Sequence, residues 1–214
     1  MAVVSDHGVS EKNFMGEPVI GGQYCLPNTV QYTLVQTKRG CCTENWSVID
    51  ATDADQGTVV FTLVKTNTNS RGWIPKFETQ LVDAHGNIIA RFKHKGWGTW
   101  KVFGGDNYDV LCSAKDCCPL FEWKTALKVF LASSMSREEP DYRVKFKNIY
   151  GKDHIIFHGT QSLAEVAVKC RWFGRPTYTV TVNAGADCAF VLLLVMIMEK
   201  KAKKHQAQAA SGGA

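Results

Sequence analysis

The sequence predicts a mainly β fold, a closed antiparallel barrel that encloses a hydrophobic C-terminal helix. Residues 188–198 (CAFVLLLVMIM) are apolar on every face and show no strand-like alternation. Across the rest of the chain, short runs rich in Val, Ile, Phe, Tyr, Trp and Thr are separated by turn residues. Because a helix that is apolar all round must be buried all round, we expect the strands to close around it.

The predicted helix covers residues 187–201. Asp187 stands at its start and four lysines between residues 200 and 204 stand at its end, an arrangement that suits the helix dipole. At about 1.5 Å per residue its apolar part is roughly 16 Å long, about half of the ~30 Å hydrocarbon thickness of a bilayer. We therefore expect no transmembrane span. A core helix packed between layers and a C-terminal membrane anchor are the alternatives.

The predicted strands are short and follow one another closely. Residues 83–87 (DAHGN) predict a hairpin turn in which Gly86 supplies a positive φ. Residues 162–171 are ambiguous, because SLAEVAVKCR also fits a helix. No strand is followed by a convincing crossover helix, which favours antiparallel pairing over a parallel α/β fold. The predicted strands are 30–35, 46–50, 58–65, 77–82, 88–95, 99–103, 110–114, 126–131, 142–146, 154–158, 164–172 and 178–182.

The chain is expected to form a single folded domain with two flexible ends. Residues 1–28 read as a loose arm, residues 29–201 as the barrel with its helix, and residues 202–214 as a disordered polar tail. The formal net charge is +5, and much of the excess lies in the lysines that precede the tail. This charge is compatible with anionic lipid, nucleic acid or an acidic protein surface and does not choose among them.

The composition also narrows the location and the chemistry. The start, MAVVSDHGVSEKNFMGEP, shows no charged segment followed by an apolar one, so we expect a cytoplasmic protein, with the plasma-membrane surface and the nucleus as alternatives. The 8 cysteines include no C-x-x-C pair, so we expect reduced apolar fillers rather than disulfides or zinc ligands. No motif marks an activated nucleophile or a phosphate-binding loop. We expect no catalytic residue, metal or cofactor.

Several segments carry a family resemblance in a specific order and spacing. They are 24–27 (YCLP), 46–50 (WSVID), 81–87 (LVDAHGN), 100–104 (WKVFG), 127–131 (LKVFL), 141–145 (DYRVK) and 178–182 (YTVTV), followed by Gly185, Asp187 and the apolar helix. Over residues 24–200 the chain resembles the plant LURP-one-related proteins, which share the fold of the tubby C-terminal domain. The resemblance implies a closed barrel of about twelve strands around the helix.

The same resemblance suggests a function. LURP-one-related proteins are linked to plant pathogen defence. Their wider superfamily includes tubby proteins, which bind phosphoinositides and act as membrane-tethered transcription regulators, and phospholipid scramblases. The resemblance therefore implies a non-enzymatic intracellular binding module in defence signalling. Its expected partners are anionic phospholipids, phosphoinositides among them, or signalling proteins.

Two predicted strands present cations on one face. Strict alternation puts Phe92 and His94 on the inner side of residues 88–95 and the intervening cations on the outer side. Clustered cations on a rigid sheet can hold phosphate oxygens, and arginine can do so bidentately. The alternative is a solvated outer face that keeps the protein soluble. The candidate anion- or phosphoinositide-binding residues are Arg91, Lys93, Lys95, Arg143, Lys145 and Lys147.

Other features leave alternatives open. The lysines after the helix either attract an anionic leaflet or cap the helix dipole. Trp97 and Trp100, beside Lys95 and Lys101, fit base stacking, but in a barrel such aromatics usually serve packing, so direct nucleic-acid binding is not expected. A protein-interaction scaffold that uses the loops and the N-terminal arm competes with membrane tethering. Lipid scrambling is a third hypothesis, and it requires insertion of the helix.

Overall fold

The protein is a twelve-stranded barrel threaded by its C-terminal helix. The computed structural model describes residues 17–40, 43–52, 57–68, 77–105, 107–117, 125–134, 138–147, 153–169 and 176–211. Within them, the strands are β1 (Val30–Arg39), β2 (Glu44–Asp50), β3 (Val59–Asn67), β4 (Phe77–Asp83), β5 (Ile88–Gly96), β6 (Thr99–Gly104), β7 (Val110–Asp116), β8 (Thr125–Leu131), β9 (Tyr142–Phe146), β10 (His154–His158), β11 (Gln161–Lys169) and β12 (Thr177–Val182), and the α-helix is α1 (Cys188–Ser211).

Each strand pairs antiparallel with its neighbours in the chain, and β1 closes the barrel on β12. Thr33 in β1 lies opposite Thr179 in β12 on one side and Ile49 in β2 on the other. Closure leaves no unpaired sheet edge, the feature that invites aggregation in open sheets. The mainly β prediction is confirmed, and residues 162–169 of the ambiguous segment belong to β11.

The core is α1 together with the inward side chains of the strands. Every residue from Cys188 to Ile197 is at most 2% exposed. The wall opposite it includes Leu34, Val48 and Leu63, all 0% exposed. Burial of each large aliphatic side chain contributes about 1.5–3 kcal/mol, so this contact dominates the stability of the fold. The expectation of a helix buried on all sides is confirmed.

Asp187 joins the start of α1 to the N-terminal arm. Its Oδ1 accepts a hydrogen bond from the backbone N–H of Phe190 at 3.0 Å, the usual cap of a helix start. Its Oδ2 accepts hydrogen bonds from the N–H groups of Val19, Ile20 and Gly21 at 3.1, 2.7 and 3.3 Å. The described end of the segment predicted to be a loose arm is therefore attached to the barrel. Residues 1–16 lie outside the described part.

The far end of α1 differs from the prediction. The helix continues to Ser211, through most of the segment 202–214 that was expected to be a disordered tail. Ala, Lys and Gln have high helix propensity, and extending an existing helix avoids the cost of a new nucleus. Residues 212–214 lie outside the described part. The lysines therefore stand within the helix rather than at its end.

The β4–β5 hairpin is confirmed in detail. Gly86 has φ +90°, as the turn prediction required. The Asp83 carboxylate accepts hydrogen bonds from the backbone N–H groups of His85 and Asn87 at 2.9 and 2.8 Å. These bonds lower the pKa of Asp83, the side-chain hydrogen bond from Asn87 making the largest contribution. Local chemistry therefore fixes this turn independently of the barrel.

Candidate anion-binding surface

The three candidate cations of β5 lie in different environments. Lys93 is half-buried and Lys95 is exposed. Arg91 points to the same outer side but is 9% exposed. Its Nε lies 3.9 Å from a carboxylate oxygen of Glu78 in β4, and its guanidinium stacks 4.3 Å from the ring centre of Tyr108. Arg91 is thus engaged inside the protein, which corrects the expectation of an exposed anion ligand at this position.

The candidate cations of β9 and its end also lie in different environments. Arg143 and Lys145 lie half-buried on the outer side of the strand. Lys147, just past the end of β9, has its ammonium 2.6 Å from the carboxylate of Glu165 in β11. The hydrogen bond from Glu165 raises the pKa of Lys147. A carboxylate within the protein therefore partly balances the charge of Lys147, which makes this residue a weaker candidate than Arg143 and Lys145.

The strands between β5 and β9 add outward cations that join the two groups. Lys93 lies opposite Lys101 in β6. Lys115 in β7 lies opposite Lys128 in β8, which in turn lies opposite Arg143. Directly opposite residues in antiparallel strands have Cα atoms about 5 Å apart. The resulting surface, called the basic face below, extends over five adjacent strands. Its members are Lys93, Lys95, Lys101, Lys115, Lys128, Arg143 and Lys145.

Aromatic rings support part of the basic face. They come from outward positions of β6, β8 and β10, and each lies beneath an ammonium group from a neighbouring strand. A cation over a ring face is attracted by about 0.5–1 kcal/mol at an exposed site, and the ring limits where the lysine head can move. The pairs are Lys93 with Phe103 at 4.6 Å, Lys115 with Phe130 at 5.0 Å, and Lys145 with Phe157 at 5.3 Å.

The basic face is suited to multivalent anions. In the described residues of β5 to β9, the outward positions carry cations, aromatics, small polar groups and the aliphatic residues Ile89 and Leu111, but no carboxylate. Like charges directly opposite each other destabilise a sheet, and Lys93 and Lys101 form such a pair. A bound polyanion would relieve that repulsion, and three cations on neighbouring strands match closely spaced phosphates.

Three lysines of α1 have a structural role, because they form ion pairs with carboxylates at the rim of the barrel. Lys200 and Lys203 lie 2.5 and 2.6 Å from the two carboxylate oxygens of Glu44 in β2. Lys201 lies 2.5 Å from the carboxylate of Asp116 in β7. Burial of Glu44 opposes its ionisation, but the hydrogen bonds from Lys200 and Lys203 outweigh it and lower the pKa of Glu44 to about 2.

These ion pairs fasten the helix to the rim. Lys203 also lies 2.9 Å from Glu199, one turn earlier, and the Tyr178 hydroxyl donates a hydrogen bond to Glu199. We call this group, Glu44, Asp116, Tyr178, Glu199, Lys200, Lys201 and Lys203, the rim cluster. Neither earlier reading of the tail lysines, a leaflet contact or a dipole cap, describes it. Lys204 stands apart, exposed, with its ammonium 3.4 Å from His94.

Sequence reasoning missed three of the seven residues of the basic face and misplaced one aromatic residue. Lys101, Lys115 and Lys128 each stand singly in their strands, so only the cross-strand register brings them together. Trp100 is 3% exposed and serves packing, as expected. Trp97, two positions before the start of β6, is fully exposed, contrary to the packing interpretation. A tryptophan followed by glycine between two apolar strands was the signal that could have revealed a turn.

The geometry defines the class of protein as an antiparallel β barrel that encloses its own C-terminal helix and carries a basic outer face. The family model described as LURP-one-related matches residues 30–199. Because this match covers most of the chain, the protein belongs to the LURP-one-related family.

Individual relatives agree with this assignment. The chain is 25% identical to the protein LURP-one-related 15 of Arabidopsis thaliana, covering 90% of this chain and 89% of the relative. It is 23% identical to the protein LURP1 of the same plant, covering 84% and 87%. The X-ray structure of a protein from Arabidopsis thaliana matches with a TM-score of 0.62 at 21% identity, covering 86% of this chain and 98% of that chain. This likeness supports the fold.

Within the described residues, no helix combines the length and the apolar character needed to cross a membrane.

Proposed function

We propose that this protein is a non-enzymatic binding module that docks on anionic membrane surfaces, phosphoinositide-bearing ones in particular, through the basic face. The observation that carries the proposal is the register that aligns outward cations on five adjacent strands without an outward carboxylate among them. Each lysine or arginine near an anionic leaflet contributes about 1 kcal/mol. A face of seven such residues supplies enough attraction for reversible, salt-sensitive attachment.

The proposal refines the set of residues that the sequence suggested. Lys93, Lys95, Arg143 and Lys145 remain, and Lys101, Lys115 and Lys128 join them. Arg91 acts as a positioning residue, since it packs with Tyr108, whose ring also lies 5.6 Å from the ammonium of Lys93. Lys147 is a weaker candidate at the edge of this surface, because it pairs with Glu165.

Flotation with liposomes tests the proposal. The purified protein is mixed with vesicles carrying a panel of phosphoinositides, at low and at physiological salt. We expect head-group-selective binding that persists at physiological salt. Binding that merely tracks total negative charge, or no binding, would leave the basic face as a solvating surface.

A pair of matched variants locates the contact. Lys115→Glu combined with Arg143→Glu reverses two charges on the basic face, and we expect at least a tenfold loss of vesicle binding from the two lost attractions and the two new repulsions. Lys38→Glu combined with Lys169→Glu makes the same change in net charge at exposed positions elsewhere. Equal losses in both pairs would show that net charge, rather than this face, governs binding.

The competing function is a protein-interaction scaffold, and one surface favours it. The outward positions of β12, β1 and β2 around Thr179, Thr33 and Ser47 carry no charge and lie in the described part of the barrel. An uncharged sheet face of Thr and Val fits a protein partner better than a lipid head group. Such a contact would survive high salt, whereas docking through the basic face would not.

The family resemblance adds two further expectations. Participation in plant defence signalling is part of the proposal, and loss of the gene followed by pathogen challenge tests it. Lipid scrambling would require α1 to leave the barrel and insert, and the burial of residues 188–197 opposes that exit. Release of the protein from membranes by salt without detergent would exclude the inserted state.

A further inference from the structure

Trp97 occupies a turn that does not suit it. It is the first central residue of the tight hairpin between β5 and β6, with φ +49°, and Gly98 follows with φ +67°. Positive φ at both central positions is the geometry for which Asn-Gly is the preferred pair. A bulky non-glycine residue in the left-handed region costs of order 1–3 kcal/mol. The fold therefore gains nothing from a tryptophan at this backbone position.

Packing does not account for Trp97 either. Its exposed fraction is 101%, whereas Trp100 in the same hairpin and Trp46 in β2 are 3% and 1% exposed. The other large apolar residues exposed in the described part of the chain are Val59, Tyr108 and Val110, at 43%, 48% and 36%. A strained, fully exposed tryptophan indicates a role in contact with something outside the barrel.

Cations surround the hairpin tip. Lys95 precedes the turn and is exposed. Lys115, also exposed, lies opposite Thr99, the first residue after the turn. The carbonyl oxygen of Gly98 accepts a hydrogen bond from the backbone N–H of Asp116 at 2.8 Å. The carboxylate of Asp116 in turn forms an ion pair with Lys201 of α1. Trp97 therefore projects from the same rim at which α1 emerges, and it borders the end of the basic face.

We infer that Trp97 is the apolar anchor with which this rim docks on an anionic lipid bilayer. This inference rests on the proposed function and adds the orientation of the barrel on the membrane. A tryptophan ring prefers the interface between head groups and acyl chains, where its apolar body is buried and its indole N–H remains hydrated. Lysines beside the ring attract the anionic head groups, the combination found in helices that lie in the membrane interface.

The surroundings favour a bilayer over single-stranded nucleic acid. Stacking of successive bases uses several open aromatic platforms along a groove. The rings of the basic face, Phe103, Phe130 and Phe157, lie instead beneath lysine ammonium groups. Trp97 stands at a protruding tip, a shape suited to insertion into a soft surface rather than to tracking a strand.

The test uses the full chain and Trp97→Asn. Asparagine is preferred at this turn position, so the variant keeps the hairpin, and its thermal midpoint should equal or exceed that of the unchanged protein. Val59→Thr, which removes an exposed apolar residue of β3 outside the rim and the basic face, serves as the matched control. Binding is measured to phosphatidylcholine vesicles containing phosphatidylserine and a phosphoinositide, with brominated phosphatidylcholine as a quencher, and to a single-stranded oligonucleotide.

We expect Trp97→Asn to weaken vesicle binding roughly tenfold, the loss of one buried aromatic side chain, and Val59→Thr to leave it unchanged. The difference in tryptophan fluorescence between the unchanged protein and Trp97→Asn gives the emission of Trp97 alone. On vesicle binding this emission should shift to the blue, and brominated lipid should quench it. Unchanged affinity of Trp97→Asn with no quenching would overturn the anchor while leaving docking through the basic face intact. Failure of the unchanged protein to bind vesicles, or a preference for the oligonucleotide, would overturn both.

Discussion

The outer surface of the barrel has two contrasting regions built on the same inner wall. On the basic face, outward positions of β5 to β9 place cations opposite cations. On the opposite stretch, here called the neutral face, β12, β1, β2 and β3 present Thr177, Thr179, Thr181, Gln31, Thr33, Val35, Ser47, Ile49 and Thr62. Behind both, alternate residues are buried against α1.

The contrast between the two faces shows which features the barrel fold requires and which it only tolerates. Barrel closure requires apolar residues at every second position, and both faces provide them. The neutral face shows that strands of this barrel pair well without outward charge. Solubility would be served by cations and anions interspersed over the whole surface. The barrel itself therefore does not require the concentration of one sign on five strands, and this supports the proposal of an anion-binding role.

The largest predicted effect tests the shared core on which the comparison depends. Val195→Asp places an unpaired charge among residues that are at most 2% exposed, so we expect a loss of several kcal/mol and no folded protein at room temperature. Ala202→Asp introduces the same charge at an exposed position of the same helix and should stay folded. Circular dichroism melts compare the two. An unchanged melt of Val195→Asp would refute the enclosed helix.

How far the sequence predicts this molecule depends on how local each signal is. The apolar run of α1 and the Asp83 turn are visible in a few adjacent residues, and both form as predicted. The basic face depends on the register of five strands, so Lys115 and Lys128 could not be joined to Arg143 from the sequence. Strand pairing also determines the environment of Arg91, because it places Glu78 of the neighbouring strand beside the guanidinium. The sequence alone could not show this contact.

The helix end illustrates a second limit. Composition suggested disorder after residue 201, yet α1 continues to Ser211, because a helix already nucleated inside the barrel extends at little cost through residues of high helix propensity. The lysines there were expected either to attract an anionic leaflet or to cap the helix dipole. Their actual partners, Glu44 and Asp116, lie more than eighty residues away in sequence, and only the closed barrel brings them near.

An intermediate effect distinguishes the rim lysines from those of the basic face. Glu44→Gln removes the carboxylate that Lys200 and Lys203 share, and we expect a loss of about 1–3 kcal/mol in the free energy of unfolding at neutral pH. The pH dependence has a defined sign. Glu44 has a lower pKa in the folded state, about 2, than its ordinary value of 4.5, so its stabilisation is complete above pH 4.5 and is lost as the pH falls towards 2.

Denaturant titrations from neutral to acidic pH measure this effect. The difference in unfolding free energy between the unchanged protein and Glu44→Gln should shrink as the pH falls from about 4.5 to about 2. Glu165→Gln, which breaks the exposed pair with Lys147, is the matched control and should leave stability nearly unchanged. A difference for Glu44→Gln that is independent of pH would mean that the Glu44 charge does not hold the helix.

The smallest effect compares the two faces directly by exchanging their residues. Lys101→Thr removes a cation that lies opposite Lys93, so at low salt we expect a gain of about 0.5 kcal/mol in stability. Thr33→Arg places a cation opposite Thr179 and Ile49, where no charge faces it, and should show little salt dependence.

Urea unfolding of both variants at low salt and at about 1 M salt measures the difference, since ions at the higher concentration screen charges over about 3 Å. The gain from Lys101→Thr should disappear at high salt, and a soluble polyphosphate should stabilise the unchanged protein more than this variant, because bound anion relieves the repulsion that the substitution removes. Equal salt responses of the two variants would mean that the aligned cations of the basic face do not act on one another, and with that the structural argument for an anion site would fail.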